Sequence, residues 1–247
     1  DRGFRVGRDL PFDMSHRHYS HMMGVYPLHI LDWDDAALRP VIQRSYDNWA
    51  SLQSAWAGYS WTGAASFNAI FGKGNVALPF LQTFLDRSLL PNTMYTEGSP
   101  VIETPLSGAR TLQDLLLGSW GGVLRVFPAI PDAWKDVVVH DLGAEGAFRV
   151  SAVRKAGVTQ FVRVKSLAGE PCRIRTDLAR PLTVTSKRPL TLTERTDGTF
   201  DLDLRRDEEA VVTSRGTAPD LTVRAIPSTP SWCANYYARK TCGAPAP

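Results

Sequence analysis

The chain has 247 residues, of which 43% are apolar and 10% aromatic, and its formal net charge is +3. This length allows one or two domains with buried cores, and no stretch reaches the roughly 18 to 20 uninterrupted apolar residues of a membrane span. Because basic and acidic residues are interspersed and almost balanced, the composition also argues against binding to nucleic acid.

A histidine cluster stands near the start of the chain. Four of the five histidines lie within residues 15–29, and His16, His18 and His21 surround Arg17. The cluster allows three interpretations: a metal site, a structural group of hydrogen-bonded histidines, or the wall of a polar pocket that contacts hydroxyl groups. The segment lacks the i, i+4 histidine pair and the nearby carboxylates of familiar zinc sites. We therefore predict that His16, Arg17 and His18 bind substrate and that no metal is bound.

Three helical patterns follow the histidine cluster. Apolar residues at steps of three or four predict a helix from Pro40 to about Ala57, since proline suits the first helical turn. A second run begins at Trp61 and stops at Gly72, and a third covers residues 78–89. The last two runs are predicted to form a helical hairpin.

Residues 90–103 show no periodicity and form a predicted loop that is longer than most connections in compact domains. The loop carries two carboxylates, Glu97 and Glu103. Aromatic residues of this loop and of the preceding helices complete the acid-plus-aromatic composition of a sugar site, in which rings stack on pyranose faces and carboxylates transfer protons. These aromatic residues are Tyr95, Trp56, Tyr59 and Trp61. Aromatic residues at helical spacing also occur in ordinary cores.

One further helix is predicted to begin with Thr104 as its N-cap and Pro105 in its first turn, and its apolar face runs from Leu106 to Leu116. The residues Trp120-Gly121-Gly122 are predicted to end this helical region, so the domain boundary falls near Gly121. Short β-type runs with turn signals between them then predict an antiparallel sandwich without any parallel pairing. The predicted strands are 123–127, 137–142, 148–153, 158–164, 182–185, 190–193, 200–204 and 210–213.

Three cysteines cannot all pair with one another. Cys233 and Cys242 bracket a short segment of the tail, so we predict a disulfide between them, with Cys172 as a buried thiol. Such a disulfide is typical of exported proteins, and we expect a secreted or cell-envelope location. The alternative is a cytosolic protein with three free thiols.

Five motifs of the chain stand in the order and at the spacing of a known family. They are His16-Arg17-His18-Tyr19-Ser20-His21 with Gly24-Val25-Tyr26-Pro27, Gly58-Tyr59-Ser60-Trp61, Pro91-Asn92, Leu115-Leu116-Leu117-Gly118-Ser119, and Val126-Phe127-Pro128-Ala129-Ile130-Pro131-Asp132-Ala133-Trp134. On these motifs, about residues 14 to 178 resemble glycoside hydrolase family 95, whose best-studied members are inverting α-L-fucosidases. The first and last motifs are the most specific.

The resemblance implies an α+β multidomain fold. The family is built as a six-hairpin α/α barrel with β domains on both sides, so residues 1–121 would hold the last barrel helices and residues 122–216 an antiparallel β-sandwich. Residues 217–247 would form an extended, proline-rich tail. A dozen barrel helices need more residues than the chain contains. We therefore expect the N-terminal remainder of the same enzyme as its partner, and no activity from this chain alone.

The resemblance also implies roles for individual residues. The general acid of the family, a glutamate, and its pair of asparagines would lie upstream of the His-Arg-His motif. Glu103 falls by spacing at the aspartate of the family's Asp-Gly-Asn-Phe-Gly segment, and is the predicted catalytic residue. Glu97 stands where relatives have histidine, and it competes with Glu103 for this role. The residues predicted to bind substrate are His16, Arg17, His18, Trp61 and Glu97.

The predicted function is that of an exo-acting, inverting glycoside hydrolase that removes a terminal sugar from a glycan or glycoside. Its partner is a carbohydrate substrate, and no cofactor, nucleic acid or membrane is expected. One alternative is an inactive carbohydrate-binding protein that keeps the barrel, since the segment after Glu103 departs from the family pattern. A second alternative is an isolated all-β interaction module with a helical cap, which leaves the histidine cluster without a role.

Overall fold

The computed structural model describes residues 2–90, 94–97 and 101–227. Within this range the chain divides into two compact units, the first ending at Leu112 and the second spanning Gln113–Pro227. The first unit is largely helical and the second is built mainly from β-strands. The described residues therefore form the mixture of helices and sheets that the sequence predicted. Gly121, near which the domain boundary was predicted, lies inside the second unit.

Four α-helices occur in the part of the chain that the structure describes: α1 Arg39–Ser51, α2 Gly58–Ile70, α3 Gly74–Ser88 and α4 Glu103–Leu116. They follow a short hairpin of β1 (Arg5–Gly7) and β2 (Leu10–Pro11) and a 3₁₀ turn at Ser20–Met22. The helices α2 and α3 pack against each other as the predicted hairpin.

The core of the first unit is aromatic. Helix α2 is buried over most of its length because its residues are small or apolar, so neighbouring elements can approach it closely. The rings of Tyr19, Trp49 and Phe67 are fully or almost fully buried. The Tyr19 ring meets those of Trp49 and Phe67 edge to face, at centroid distances of 5.4 and 5.1 Å. Such packing links the histidine segment to α1 and α2.

The predicted end of the first helix is wrong. Helix α1 stops at Ser51 rather than near Ala57. Beyond it, the Ser15 hydroxyl donates to the Leu52 carbonyl at 2.7 Å and accepts from the Ala55 amide at 2.8 Å. A residue distant in sequence therefore takes the backbone groups that would have continued the helix.

The strands of the second unit begin immediately after α4. They are β3 Leu117–Trp120, β4 Val123–Val126, β5 Val137–Ala144, β6 Phe148–Lys155, β7 Val158–Ser166, β8 Cys172–Arg175, β9 Leu182–Ser186, β10 Thr193–Glu194, β11 Phe200–Leu202 and β12 Glu209–Ser214. One five-stranded sheet has the order β10-β11-β8-β4-β3 and the other has the order β5-β6-β7-β12-β9. Both sheets contribute side chains to one hydrophobic core.

The expectation of purely antiparallel sheets is wrong at one pair. Strands β4 and β8 are parallel, with Leu124 opposite Ile174. Between them the chain leaves the first sheet, forms β5, β6 and β7 of the second sheet, and returns to the first. Parallel neighbours need such a long crossover, which is usually a helix and is here three strands.

Strand β3 was not predicted. Residues 117–120 were assigned to the end of the helical region, but they pair with β4 through a two-residue turn. That turn is Gly121-Gly122, and both glycines have positive φ, as tight hairpins of this length prefer. The helix therefore ends at Leu116, and the two glycines form the turn of a hairpin rather than the end of the helical region. The predicted strand 190–193 is largely loop, since β10 begins at Thr193.

Cys172 has the buried, free thiol that the sequence predicted. Burial, and secondarily the charge of Asp201, raise the pKa of this thiol to about 12. Cys233 and Cys242 lie outside the described residues, so their disulfide stays a prediction. A helix with the length and hydropathy of a membrane span does not occur among the described residues.

Candidate active site

The His-Arg-His segment, residues 16–18, is anchored by hydrogen bonds on both sides. Ser15 is bound to the chain that follows α1, through the Leu52 carbonyl. Ser60, in the first turn of α2, donates its hydroxyl hydrogen to the Arg17 carbonyl at 2.7 Å. The backbone around Arg17 is therefore held by two elements distant in sequence.

The loop after α3 brings Glu97 back toward the helices. The Leu90 amide donates to the Met94 carbonyl at 2.7 Å, and the Thr96 amide donates to the Ser88 carbonyl at 2.8 Å. These bonds make the chain double back along the C-terminal end of α3. Glu97 follows directly and lies next to the start of α2.

Helix α4 places Glu103, its first residue. This helix is joined to α2 by hydroxyl pairs, Thr62 with Ser107 at 2.7 Å and Ser66 with Thr111 at 2.9 Å. Small polar side chains at both helix surfaces allow this close packing. Because Glu103 opens α4, its negative charge is stabilised by the helix dipole.

The guanidinium of Arg17 joins both carboxylates. Its Nη2 donates to Glu103 Oε1, and its Nη1 lies 3.8 Å from Glu97 Oε1. Its Nε donates to His18 Nε2 at 3.2 Å, and that ring nitrogen lies 3.7 Å from Glu103 Oε1. We call these four residues, Arg17, His18, Glu97 and Glu103, the Arg17 group. The structure thus brings together four of the six predicted site residues.

The members of the Arg17 group differ in accessibility. The side chains of Arg17, His18 and Glu103 are 34%, 39% and 41% exposed, whereas that of Glu97 is 5% exposed. Glu103 is therefore accessible to a ligand, whereas Glu97 lies on the buried side of Arg17.

Thr104 does not act as the predicted N-cap. Helix α4 begins at Glu103, and the Thr104 hydroxyl donates to Glu97 Oε2. A capping hydroxyl would accept from a backbone amide, but a buried carboxylate needs donors and the Thr104 hydroxyl supplies one. The prediction was wrong because it considered the local sequence without the carboxylate that the loop brings to this position.

Sequence reasoning also missed the importance of Gly58. A Cβ atom at this position would overlap Thr104 Cγ2 and stand 3.0 Å from Glu97 Oε2. The absence of a side chain at the start of α2 therefore makes room for the Thr104 to Glu97 hydrogen bond. The only sign in the sequence was the glycine itself, because the start of a helix does not require glycine for a turn.

The other two predicted site residues take different positions. His16 accepts a hydrogen bond from the His18 amide at 3.0 Å, which places it at the border of the Arg17 group. Tyr59, one of the aromatic residues noted in the sequence, meets the His18 ring edge-on at 5.4 Å. Trp61 lies under the Arg87 guanidinium at 5.1 Å. Within the described residues, Trp61 contacts Trp56, Phe80 and Arg87 rather than the Arg17 group, and its role in binding stays a prediction.

His21 is separated from the other histidines of the cluster. Its ring stacks on Phe12 at 4.3 Å, and among the described residues neither buried ring nitrogen has a hydrogen bond of normal geometry. Across residues 2–90, 94–97 and 101–227, no group of three or more histidine, cysteine or acidic side chains is arranged to hold a metal ion. His21 thus packs against Phe12 of the aromatic core.

The burial of His21 predicts a pH-dependent stability. Desolvation lowers the pKa of His21 from 6.5 to about 4, and the Ser45 backbone opposes this with a smaller effect. The unfolded chain binds the proton more readily, so stability present above pH 6.5 is lost as the pH falls toward 4. We expect His21→Phe, measured by urea unfolding at pH 7 and pH 5, to lose less stability on acidification than the unsubstituted protein. Equal losses in the two proteins would contradict this assignment.

The comparison with protein families identifies the second unit. Residues 119–212, which extend from β3 into β12, match the model of glycoside hydrolase family 95, C-terminal domain. The class of protein that the match supports is a glycoside hydrolase, and the matched segment agrees with the family 95 C-terminal portion that its motifs predicted. No curated protein gives a significant match to the chain. The Pro91-Asn92 motif lies outside the described residues.

Proposed function

We propose that this chain is the C-terminal part of an exo-acting, inverting glycoside hydrolase related to the α-L-fucosidases. In this proposal the enzyme hydrolyses a terminal sugar from a glycan or glycoside. The helices before the β domain would be the last helices of an α/α barrel, and the two sheets would form a β-sandwich. The upstream part of the enzyme would supply the general acid, and the whole protein would be exported.

The observation that carries the proposal is the contact of Arg17 with Glu103 at the start of α4. An inverting enzyme needs a carboxylate that removes a proton from water, and that carboxylate has to be ionised and accessible. The helix dipole and the adjacent guanidinium both stabilise the negative charge of Glu103. Its side chain is 41% exposed, so water and a sugar can reach it.

The neighbouring side chains suit the recognition of a sugar. His16, Arg17 and His18 present directional donors and acceptors that match hydroxyl groups. In the proposed mechanism they hold the terminal ring, while Glu103 accepts the proton of the attacking water. The general acid, outside this chain, protonates the departing oxygen.

The complete enzyme should release a monosaccharide from one member of a panel of fucosides, galactosides and other neutral glycosides. Proton NMR during the first minutes of the reaction should show the product with the anomeric configuration opposite to that of the substrate. Retention of configuration would exclude the inverting mechanism. Binding of the same sugars without any turnover would favour the inactive carbohydrate-binding protein instead.

A further inference from the structure

We infer that Glu97 is a positioning residue: it holds the Arg17 guanidinium in the orientation that contacts Glu103. This inference rests on the proposed function, because it concerns how the same site is assembled. It differs from the direct substrate contact that the sequence predicted for Glu97.

The buried negative charge of Glu97 requires a compensating cation, and Arg17 supplies it. An ionised carboxylate that is 5% exposed is costly unless a cation or several donors compensate its charge. Thr104 donates to Oε2. In the described part of the chain, Oε1 accepts no hydrogen bond of normal geometry, and Arg17 Nη1 stands 3.8 Å from it. Arg17 is therefore the cation that compensates Glu97.

The three nitrogens of the Arg17 guanidinium face three different partners. Nη1 faces Glu97, Nη2 donates to Glu103 and Nε donates to His18. The guanidinium is planar and rigid, so fixing one side fixes the direction of the others. Glu97 approaches from the buried side and leaves the exposed side of the group to Glu103 and His18. Without Glu97, the Arg17 guanidinium could rotate toward solvent.

Glu97 is itself held in place. The Thr104 hydroxyl binds one oxygen, and Gly58 leaves no side chain where that contact forms. Thr104 directly follows Glu103 in α4, so the same helical turn presents one carboxylate and fixes the other. Thr104 therefore positions Glu97, and Glu97 positions Arg17. Arg17 in turn contacts Glu103.

A double-substitution cycle in the complete enzyme tests this order. Glu97→Gln should lower kcat by about 10- to 10²-fold, the loss typical of a displaced catalytic group, with a smaller change in KM. In an Arg17→Met background, Glu97→Gln should change kcat by no more than about twofold, since its effect passes through Arg17. Direct contact of Glu97 with the sugar predicts instead that the two losses multiply, which would overturn the inference.

Unfolding of the same variants gives a second measurement. Arg17→Met leaves Glu97 buried without its cation, so adding Glu97→Gln should raise the melting temperature above that of Arg17→Met alone. A double variant that is no more stable than Arg17→Met would overturn the pairing. Glu194→Gln is the matched control, because it removes a carboxylate from an exposed ion pair with Arg180 at 2.7 Å. It should alter neither kcat nor the melting temperature appreciably.

Two further outcomes are distinguishable. If Glu97→Gln does not fold, Thr104→Val removes only the hydroxyl donor to Glu97, and its kcat loss should likewise disappear in the Arg17→Met background. If the complete enzyme cleaves no glycoside, the proposed function fails. The melting temperatures then still decide whether Arg17 and Glu97 are coupled, and absence of that coupling would overturn the inference separately.

Discussion

Replacing Glu103 by glutamine is expected to lower kcat of the complete enzyme by about 10²- to 10⁴-fold, the range typical of general base catalysis. Glutamine keeps the shape and the hydrogen-bonding carbonyl of the side chain but cannot accept a proton from water. KM should change little, because Arg17 and His18 remain in place to bind the sugar. Steady-state kinetics on the glycoside with the highest turnover provide the measurement.

Glu97→Gln serves as the comparison for Glu103→Gln. Both substitutions remove one carboxylate from the Arg17 group, but the side chain of Glu97 is 5% exposed and that of Glu103 is 41% exposed. We therefore expect the smaller loss at Glu97. If Glu103→Gln retained its rate while Glu97→Gln abolished it, Glu97 would be the catalytic carboxylate.

Replacing Trp49 by alanine is expected to destabilise the helical unit by about 3–5 kcal/mol, the usual cost of removing a large buried aromatic side chain. Trp49 is completely buried in α1. Its ring stacks on Trp56 at 4.3 Å and meets Tyr19 edge to face at 5.4 Å. The cavity would be surrounded by rigid rings that cannot collapse to fill it. Urea unfolding followed by circular dichroism at 222 nm, which reports mainly on helices, measures the loss.

Trp49→Phe is the matched control for the alanine substitution. It keeps an aromatic ring in the core and removes the indole N–H, which is buried without a hydrogen-bond partner among the described residues. Its loss of stability should be less than half that of Trp49→Ala. A loss below about 1 kcal/mol for the alanine variant would show that the cavity is readily filled, contrary to the packing described.

The elements with strong periodicity could be predicted from the sequence. Helix α4 has a continuous apolar stripe, and its predicted start at Thr104 differs from the observed start at Glu103 by one residue, whereas its predicted end at Trp120 lies beyond the observed end at Leu116. The strand β7, predicted as 158–164, was found at Val158–Ser166. In β7 one face packs on a core, so its spacing is recorded in the sequence. In α4 the stripe residues Leu106 and Leu112 are exposed, and the helix packs instead through a face that carries Thr104 and Thr111.

The candidate site could be predicted as a set of residues but not as an arrangement. The clustering around Arg17 and the loop position of Glu97 and Glu103 were visible in the sequence, as was the family motif. The hydroxyl of Thr104 has the same local signature whether it caps a helix or binds a distant carboxylate. Its actual partner depends on the path of the loop before α4.

The sequence by itself determined most of the local elements, the change from helices to strands and the resemblance of the C-terminal domain to family 95. Each of these depends on residues that are close together in the chain. The tertiary structure alone decided the end of α1, the parallel pairing of β4 with β8 and the sharing of Arg17 by two carboxylates. These features arise from contacts between distant segments, and hydrogen bonds and charges that meet across such distances leave no periodic pattern in the sequence.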